Sequence, residues 1–377
     1  MTRLRAIRRP SRIRLLAAIL AAASAASAAG DLDPAHTETW RIPEPDLFAV
    51  ALRGNQAWAV GYWGSVLRSE DGGATWSDVS TPTDATLYDV AFADENHGWA
   101  VGAGGTLLRT TDGGRSWTPS DATVVDPFDG SQRPLDSSLF GVAAVSPTEA
   151  WAVGDFGVVL HTLDGSAWSG VPIPQEAFGD DNIPDRIFNA VKFTNRDEGW
   201  IAGEFGTTLR TADGGETWVG QREIQGAIDD IYLFDVAANG AGDALASGVG
   251  GVAIGSRDGG SVWANLRVPT TAGLFGTALD GERGLLVGDR GVLMVSRDGG
   301  SSWHEPARPR SFNWLRGVAF GPDGLALAVG EGGLILRSTD GGESWERAMG
   351  HAPPPASGVS VPEPPRALPT RGEAEDE

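Results

Sequence analysis

Gly98-Trp-Ala-Val-Gly-Ala-Gly-Gly-Thr-Leu-Leu-Arg-Thr-Thr-Asp-Gly-Gly-Arg-Ser-Trp117 decides how the whole chain is read. Related copies end at Trp76, Trp168, Trp218, Trp263, Trp303 and Trp345. Their turn aspartates are Asp71, Asp112, Asp164, Asp213, Asp258, Asp298 and Asp340, spaced by 41, 52, 49, 45, 40 and 42 residues. A period near 40 to 45 residues, lengthened to 52 and 49 in two copies, with strand-like composition matches one four-stranded propeller blade, so seven copies predict an all-β, seven-bladed β-propeller.

Punctuation divides each copy into four strands. Strand A carries Leu-aromatic-x-Val, as in Leu87-Tyr88-Asp89-Val90; strand B is Trp99-Ala-Val-Gly102; strand C is Thr106-Leu-Leu-Arg-Thr110; strand D begins at Trp117. Gly-x-x-Gly turns join B to C and Asp-Gly-Gly turns join C to D. The glycines permit positive φ, and the short Asp side chain caps the turn's own amides. The closing Trp is expected to fill space between blades, as are Trp58, Trp99, Trp151 and Trp200 at one strand B position. The seven aspartates are therefore read as structural. Blade three departs from the rule with the shorter turn Asp164-Gly-Ser-Ala-Trp168, and blade five with Ala246-Ser247-Gly248 in place of a Trp or Leu strand. Thr39-Trp40 resembles the start of a strand D that could fasten the ring.

Before the repeats, Arg3, Arg5, Arg8, Arg9, Arg12 and Arg14 make a basic segment without acids, followed by the apolar run Leu15 to Ala25 and the small residues Ala26-Ser27-Ala28. That run is shorter than the ~20 residues of a spanning helix, so residues 1–28 are read as a signal peptide and the protein as exported, to a periplasm or an equivalent compartment. Residues 29–37 are read as a linker, 38–350 as the propeller and 351–377 as a Pro-rich acidic tail that cannot bury enough apolar surface to order itself. Removing the six arginines takes the formal charge from −21 to −27, which disfavours nucleic acid and anionic lipid as partners. The chain has no Cys, so neither disulfides nor thiolate metal sites are available. No cofactor or metal is expected, and a monomer is.

The repeat, Leu-aromatic-x-Val … Gly-Trp-Ala-Val-Gly … Leu-Arg-Thr-x-Asp-Gly-Gly-x-Ser-Trp, is an Asp-box (bacterial neuraminidase-type) repeat. In this regular form it resembles the photosystem II assembly and stability factor family over residues 38 to 348. The resemblance implies a non-enzymatic scaffold or assembly factor outside the membrane, acting on a membrane-associated protein complex. The client is left open.

The competing class is a glycan-active Asp-box protein, either a glycoside hydrolase or a lectin. Arg41-Ile42-Pro43 resembles a sialidase motif, but that chemistry needs a Tyr nucleophile with a carboxylate partner and three arginines. Only Tyr62, Tyr88 and Tyr232 exist. Tyr88 takes the strand A aromatic slot, shared with Phe48, Phe140, Phe188, Phe234 and Phe275. Tyr232 precedes Phe234, and Tyr62 lies in a B–C turn. Acids gather on two long D–A connections, Asp126, Asp129 and Asp136 in one and Glu176, Asp180, Asp181 and Asp185 in the other, without a recognised cation-ligand spacing. His161 replaces a strand C Arg and is read as structural.

Strand order places B–C turns and D–A connections on one face of the ring, with A–B and Asp-box turns on the other. The first face carries Tyr62, Trp63, Phe156 and Phe205 at turn tips, beside Asp155, Glu204, Asp289 and Glu331. These rings either meet a partner or fold back over neighbouring blades. A second candidate set is the strand C arginines Arg68, Arg109, Arg210 and Arg337. Three of them belong to blades adjacent in a closed ring, and they form either a positive arc or a set of stems covering the next blade. A third is the axial mouth, where Asp89, Asn189, Asp235 and Arg316 are aligned at one strand A position.

Overall fold

A computed structural model describes residues 44–125, 132–178, 186–220, 224–225 and 231–350. The leader, the linker, Thr39-Trp40, Arg41 to Pro43 and the tail lie outside the described residues, as do Asp126, Asp129, Asp180, Asp181 and Asp185.

Seven antiparallel sheets follow one another round an axis. Each runs A-B-C-D from the centre outward, as in blade two with Leu87–Phe92, Gly98–Gly102, Leu107–Thr110 and Thr118–Pro119. Blade six has three regular strands, and its outer position is held by a single bridge between Val295 and His304. Blade seven takes all four strands from one continuous stretch, Leu315–Phe320, Ala326–Gly330, Ile335–Ser338 and Glu346–Met349. Blade one likewise owns its four strands, from Leu47–Arg53 to Ser77–Val79. The ring closes side to side: the Arg337 Nε donates to the Gly72 carbonyl at 2.9 Å, and the Gly332 amide to Asp46 Oδ1 at 2.7 Å.

The apolar residues of the strands form seven clusters, one between each pair of neighbouring blades. Trp58, Trp99, Trp151 and Trp200 each reach forward into the next blade, where they meet its Asp-box Trp. The indole Nε1 of Trp99 donates to the Gly165 carbonyl in the Asp-box turn of blade three. In blade five Leu245 pairs with Gly255 at the register position where Trp99 pairs with Arg109, so that blade keeps a Leu in the Trp slot. The Ala246-Ser247-Gly248 anomaly read from the sequence is therefore not an interruption of the strand.

Every strand B ends in Gly for a steric reason. A Cβ at Gly61, Gly102 or Gly330 would stand 2.0–2.1 Å from the carbonyl oxygen preceding strand A. Two long D–A connections cover edges that would otherwise be open to pairing. Ala122–Val125 pairs parallel to Trp168–Gly170 of blade three, and Ile224–Gln225 pairs parallel to Trp263–Asn265 of blade five.

Strand A carries a β-bulge in all seven blades. Leu87 pairs with Gly102 and Asp89 with Val101, leaving Tyr88 as the extra residue. The same register places Phe48, Phe140, Asn189, Phe234, Phe275 and Arg316 in that slot. Two expectations are corrected here. Phe188 pairs with Gly203 and so fills the buried Leu position, not the aromatic slot. Asn189 and Arg316 consequently sit one position before Asp89 and Asp235, not level with them.

Candidate functional site

The Asp-box turns close by one repeated device. In blade one the Ser69 hydroxyl donates to Asp71 Oδ1 at 2.8 Å and accepts the Gly73 amide at 2.9 Å. The Thr75 amide and hydroxyl bond the two Asp71 oxygens at 2.9 and 2.6 Å. The Thr75 hydroxyl, then its amide, hold the Asp71 carboxyl down to about 2, as Ser302 does for Asp298. These carboxylates are ionised and fully engaged by their own turns, the structural role read from the sequence. Asp164, in the short turn, accepts the Ser166 and Ala167 amides at 2.8 Å and has no hydroxyl four residues on.

The opposite face is built from seven B–C turns. After the strand B glycine, the next amide bonds the carbonyl before strand A, as Asp155 does to Ser138 at 3.0 Å, and one residue then enters the left-handed region. In blades two, five and seven that residue is glycine, Gly104, Gly250 and Gly332. In the others it is Trp63 (φ 56°), Phe156 (φ 56°), Phe205 (φ 55°) and Arg290 (φ 53°). The left-handed conformation costs an L-residue about 1–2 kcal/mol. Trp63 and Phe156 are nonetheless 61% and 66% exposed. Phe205 is half-buried against Tyr232, with centroids 5.6 Å apart. Tyr62 lies edge-on to Phe48 at 4.8 Å and tilted against Trp63 at 6.2 Å. Both readings of these rings thus hold, but for different residues: Tyr62 and Phe205 fold back, while Trp63 and Phe156 project.

Sequence reasoning missed two members of this face. Phe312, in the connection into blade seven, is 87% exposed, the most exposed large apolar side chain among the described residues. Nothing in the repeat marks it, because it lies outside the repeated unit. Arg290, by contrast, occupies the Trp63 position of Gly288-Asp-Arg-Gly291, and the Gly-x-x-Gly spacing points to it. Of the acids on this face, burial pushes Asp155 upward, and burial with the nearby Asp155 does the same to Glu204.

The strand C arginines lie toward the Asp-box end of the ring, each committed to a neighbour. Arg68 is 8% exposed; its Nε donates to the Gly113 carbonyl of blade two at 2.7 Å and its Nη2 to Gln56 at 3.0 Å. Arg109 reaches Ser166 of blade three at 2.7 Å, and Arg337 reaches Gly72 of blade one. Arg210 bonds Glu198 at 3.0 Å and packs against Gly259 of blade five. The structure therefore brings Tyr62 and Trp63 together, sets Phe156 and Phe205 on the next two aromatic turns, and distributes the four arginines as staples between blades. His161 stacks on Trp151 at 3.9 Å and bonds Glu149 at 3.3 Å.

The bulged slot rings the axial channel at its mouth on the B–C face. Tyr88 lies between Phe48 and Phe140, at 5.8 and 5.2 Å, and Phe234 meets Phe275 edge-on at 5.4 Å. Asn189 donates to the Leu233 carbonyl at 2.7 Å. Below them Asp89 accepts the Val90 and Val142 amides, and Asp235 the Val236 and Thr277 amides, all at 2.8 Å. The two carboxylates thus tie successive inner strands together. Among the described residues no group of three His, Cys, Asp or Glu is arranged to hold a metal ion.

A family model described as photosynthesis system II assembly factor YCF48 matches the chain in three overlapping passes, over residues 74–187, 180–278 and 261–361. The chain belongs to that family. No curated protein matches it at the level required. Among solved structures, YCF48 bound to D1 peptide is 26% identical, with a TM-score of 0.55 over 72% of this chain and 83% of that one. YCF48 from Cyanidioschyzon merolae is 19% identical, with a TM-score of 0.61 over 79% and 96%. The GH74 xyloglucanase from Xanthomonas campestris is 15% identical, with a TM-score of 0.61 over 81% of this chain and 55% of that enzyme. The latter two likenesses are of fold alone, and this YCF48-family chain spans about half the xyloglucanase's length.

Proposed function

We propose that this YCF48-family propeller is an extracytoplasmic, non-enzymatic scaffold that binds a peptide segment of a membrane-associated client on the face carrying the B–C turns. The observation that carries this reading is the placement of Trp63 and Phe156 at left-handed positions where three other blades use glycine. The turn folds without an aromatic ring, so a ring held there at a conformational cost and left exposed is explained by what it contacts. Phe312 and Arg290 extend that surface. Asp155, Glu204, Asp289 and Glu331 beside the tips favour a segment that is neutral or basic between its apolar residues. A peptide ligand is supported by the solved relative bound to D1 peptide. Export is supported by the basic, apolar and small-residue order of residues 1–28.

The test is cross-linked affinity purification of the tagged mature protein from its native envelope. Enrichment of one integral membrane complex, lost in a Trp63→Gly/Phe156→Gly/Phe312→Ser variant and kept in Arg68→Ala/Arg109→Ala/Arg337→Ala, is the expected result. Loss with the arginine variant alone, provided that it remains folded, moves the site to the Asp-box end. Co-purification of glycans without a protein partner ends the scaffold reading.

A further inference from the structure

Three blades carry a strand that is not their own. The donor is Ala122–Val125 in blade three and Ile224–Gln225 in blade five, and each runs parallel to strand D from the Asp-box Trp onward. Blade seven shows the device at its shortest. There the Ala307 amide donates to the Glu343 carbonyl at 3.0 Å, and the Trp345 amide donates to the Ala307 carbonyl at 2.8 Å. Each donor comes from the connection that enters the blade, and the residue set against the turn is small or aliphatic, Ala122, Ile224 or Ala307. In blades four and six the entering connection packs side chains instead, Val171, Ile173 and Phe178 in the cluster of Trp218, and Leu266 and Val268 in that of Trp303.

Blade two has the same edge and no donor. Its entering connection is the seven residues 80–86, against the nineteen residues 120–138 that enter blade three. Beside the edge lies a groove of about 540 Å³, lined by Ser77 to Ser80 and Pro82 on the blade one side and by Arg115 to Trp117 on the other. Arg115 and Trp117 are the counterparts of Glu343 and Trp345, which hold Ala307 in blade seven. Among the described residues nothing bonds the Trp117 amide or the Arg115 carbonyl. The arginine side chains on the groove already have a counter-charge, since Arg68 and Arg115 reach Glu70 at 2.5 and 3.2 Å. The groove therefore sets no requirement for an anion. Farther along the edge, Pro119 has no N–H to give, which limits an added strand to about the two-residue length seen in blade five.

We propose that this groove takes an extended segment of another protein as a fifth, parallel strand of blade two, with a small or aliphatic residue at the place that Ala307 holds in blade seven. Main-chain pairing supplies the attraction, because an open strand edge presents unpaired N–H and C=O groups to any extended backbone. The occupant follows from the molecule's own usage: in blades three, five and seven the equivalent edge is met by an extended parallel segment. Ala122 is buried in the cluster that holds Trp168, which shows the kind of side chain that fits against the turn. The groove uses main-chain groups of a strand edge, so the bonds among the Asp-box side chains stay intact. It is separate from the B–C turn tips and does not rest on the client reading.

The probe is a capped, fluorescein-labelled peptide with the sequence of residues 120–125, Ser-Asp-Ala-Thr-Val-Val, the donor of blade three offered in trans to the full chain. Fluorescence anisotropy is expected to show one saturable site per chain, and hydrogen exchange to show the Trp117 amide slowed when that site is filled. Ser80 is exposed, lines the groove, and its side chain bonds nothing among the described residues. Ser80→Trp should therefore fill the groove with melting unchanged and weaken binding by about tenfold or more. Methylation of the peptide's Ala nitrogen removes the N–H aimed at the Arg115 carbonyl and should weaken binding by a similar factor with the protein unaltered. The Trp63→Gly/Phe156→Gly/Phe312→Ser variant should bind the peptide as the parent does, so failure of the client surface and failure of this groove are read separately. Absence of saturable binding overturns the proposal. Equal binding of the methylated peptide overturns it, as does a Ser80→Trp variant that melts and binds like the parent. Self-association of the chain without peptide, abolished by Ser80→Trp, assigns the groove to a second copy and overturns it too.

Discussion

The two faces of the ring are made from turns repeated equally often, yet they are written differently. At the Asp-box end the side chains that close the turn are nearly the same in every blade, a Ser or Thr, an Asp, two glycines and in most blades a second hydroxyl, and their polar atoms bond one another. At the B–C end the backbone is constant while the tip residue runs Trp, Gly, Phe, Phe, Gly, Arg, Gly round the ring. A turn whose side chains satisfy each other has nothing left to offer a partner. A turn held by backbone alone leaves its tip free to vary. On the proposed function, stability belongs to one end and recognition to the other.

Its strongest test concerns what the Asp-box turns rest upon. Trp99 is fully buried, bonds the Asp-box turn of the next blade and packs on Trp168. Trp99→Ala is expected to cost ~3–5 kcal/mol, read as a lower denaturant midpoint. Within the turns, Asp112 accepts two amides and two hydroxyls, so Asp112→Ala is expected to cost ~1–2 kcal/mol, as for loss of a helix cap. Asp164 has two amides and one longer hydroxyl contact at 3.3 Å, and Asp164→Ala should cost clearly less. Equal costs would mean that the shared backbone, and not the carboxylate, closes these turns.

Acid and base should divide the molecule in the same way. The Asp71 and Asp298 carboxyls sit near 2, below their unfolded value. What they contribute is present above about pH 4 and is lost as pH falls toward about 2. Asp89 and Asp235 have the opposite sign, because their folded values of about 7 and about 6 lie above the unfolded one. Their contribution is greatest below about pH 4 and falls as pH rises to about 7. The folded protein should therefore lose stability both below about pH 4 and gradually between about pH 5 and 7. Asp89→Asn should flatten the second slope and leave the first unchanged, as measured by unfolding across pH. A slope unaltered by Asp89→Asn and Asp235→Asn together would place the titrating group outside the channel.

The sequence carried the fold because the repeat is strict: Asp-Gly-Gly at six places and Asp-Gly-Ser at a seventh, each with Trp four or five residues after the Asp, leave one architecture. It carried less of the site. The strand C arginines are conspicuous in the text of the repeat for the reason that makes them structural, since each must reach the following blade. The bulge was invisible. An extra residue in strand A looks like ordinary alternation, so Phe188 was aligned with the aromatic slot and Arg316 with Asp89, each one position out of register.

The smallest expected effect bears most directly on the division between the faces. Trp63→Gly removes a left-handed Trp from a turn that Gly104 and Gly332 form in other blades. It should stabilise the protein by about 1 kcal/mol, a rise in Tm of roughly 2 °C in a domain of this size. Tyr62 keeps its edge contact with Phe48, so little packing is lost. The same variant should bind the client more weakly. Phe205→Gly, which also surrenders contact with Tyr232, should gain less stability. A residue whose removal strengthens the fold while weakening association is held in place by function. If Trp63→Gly instead lowers Tm, the ring is part of the packing, and recognition falls to Phe156 and Phe312.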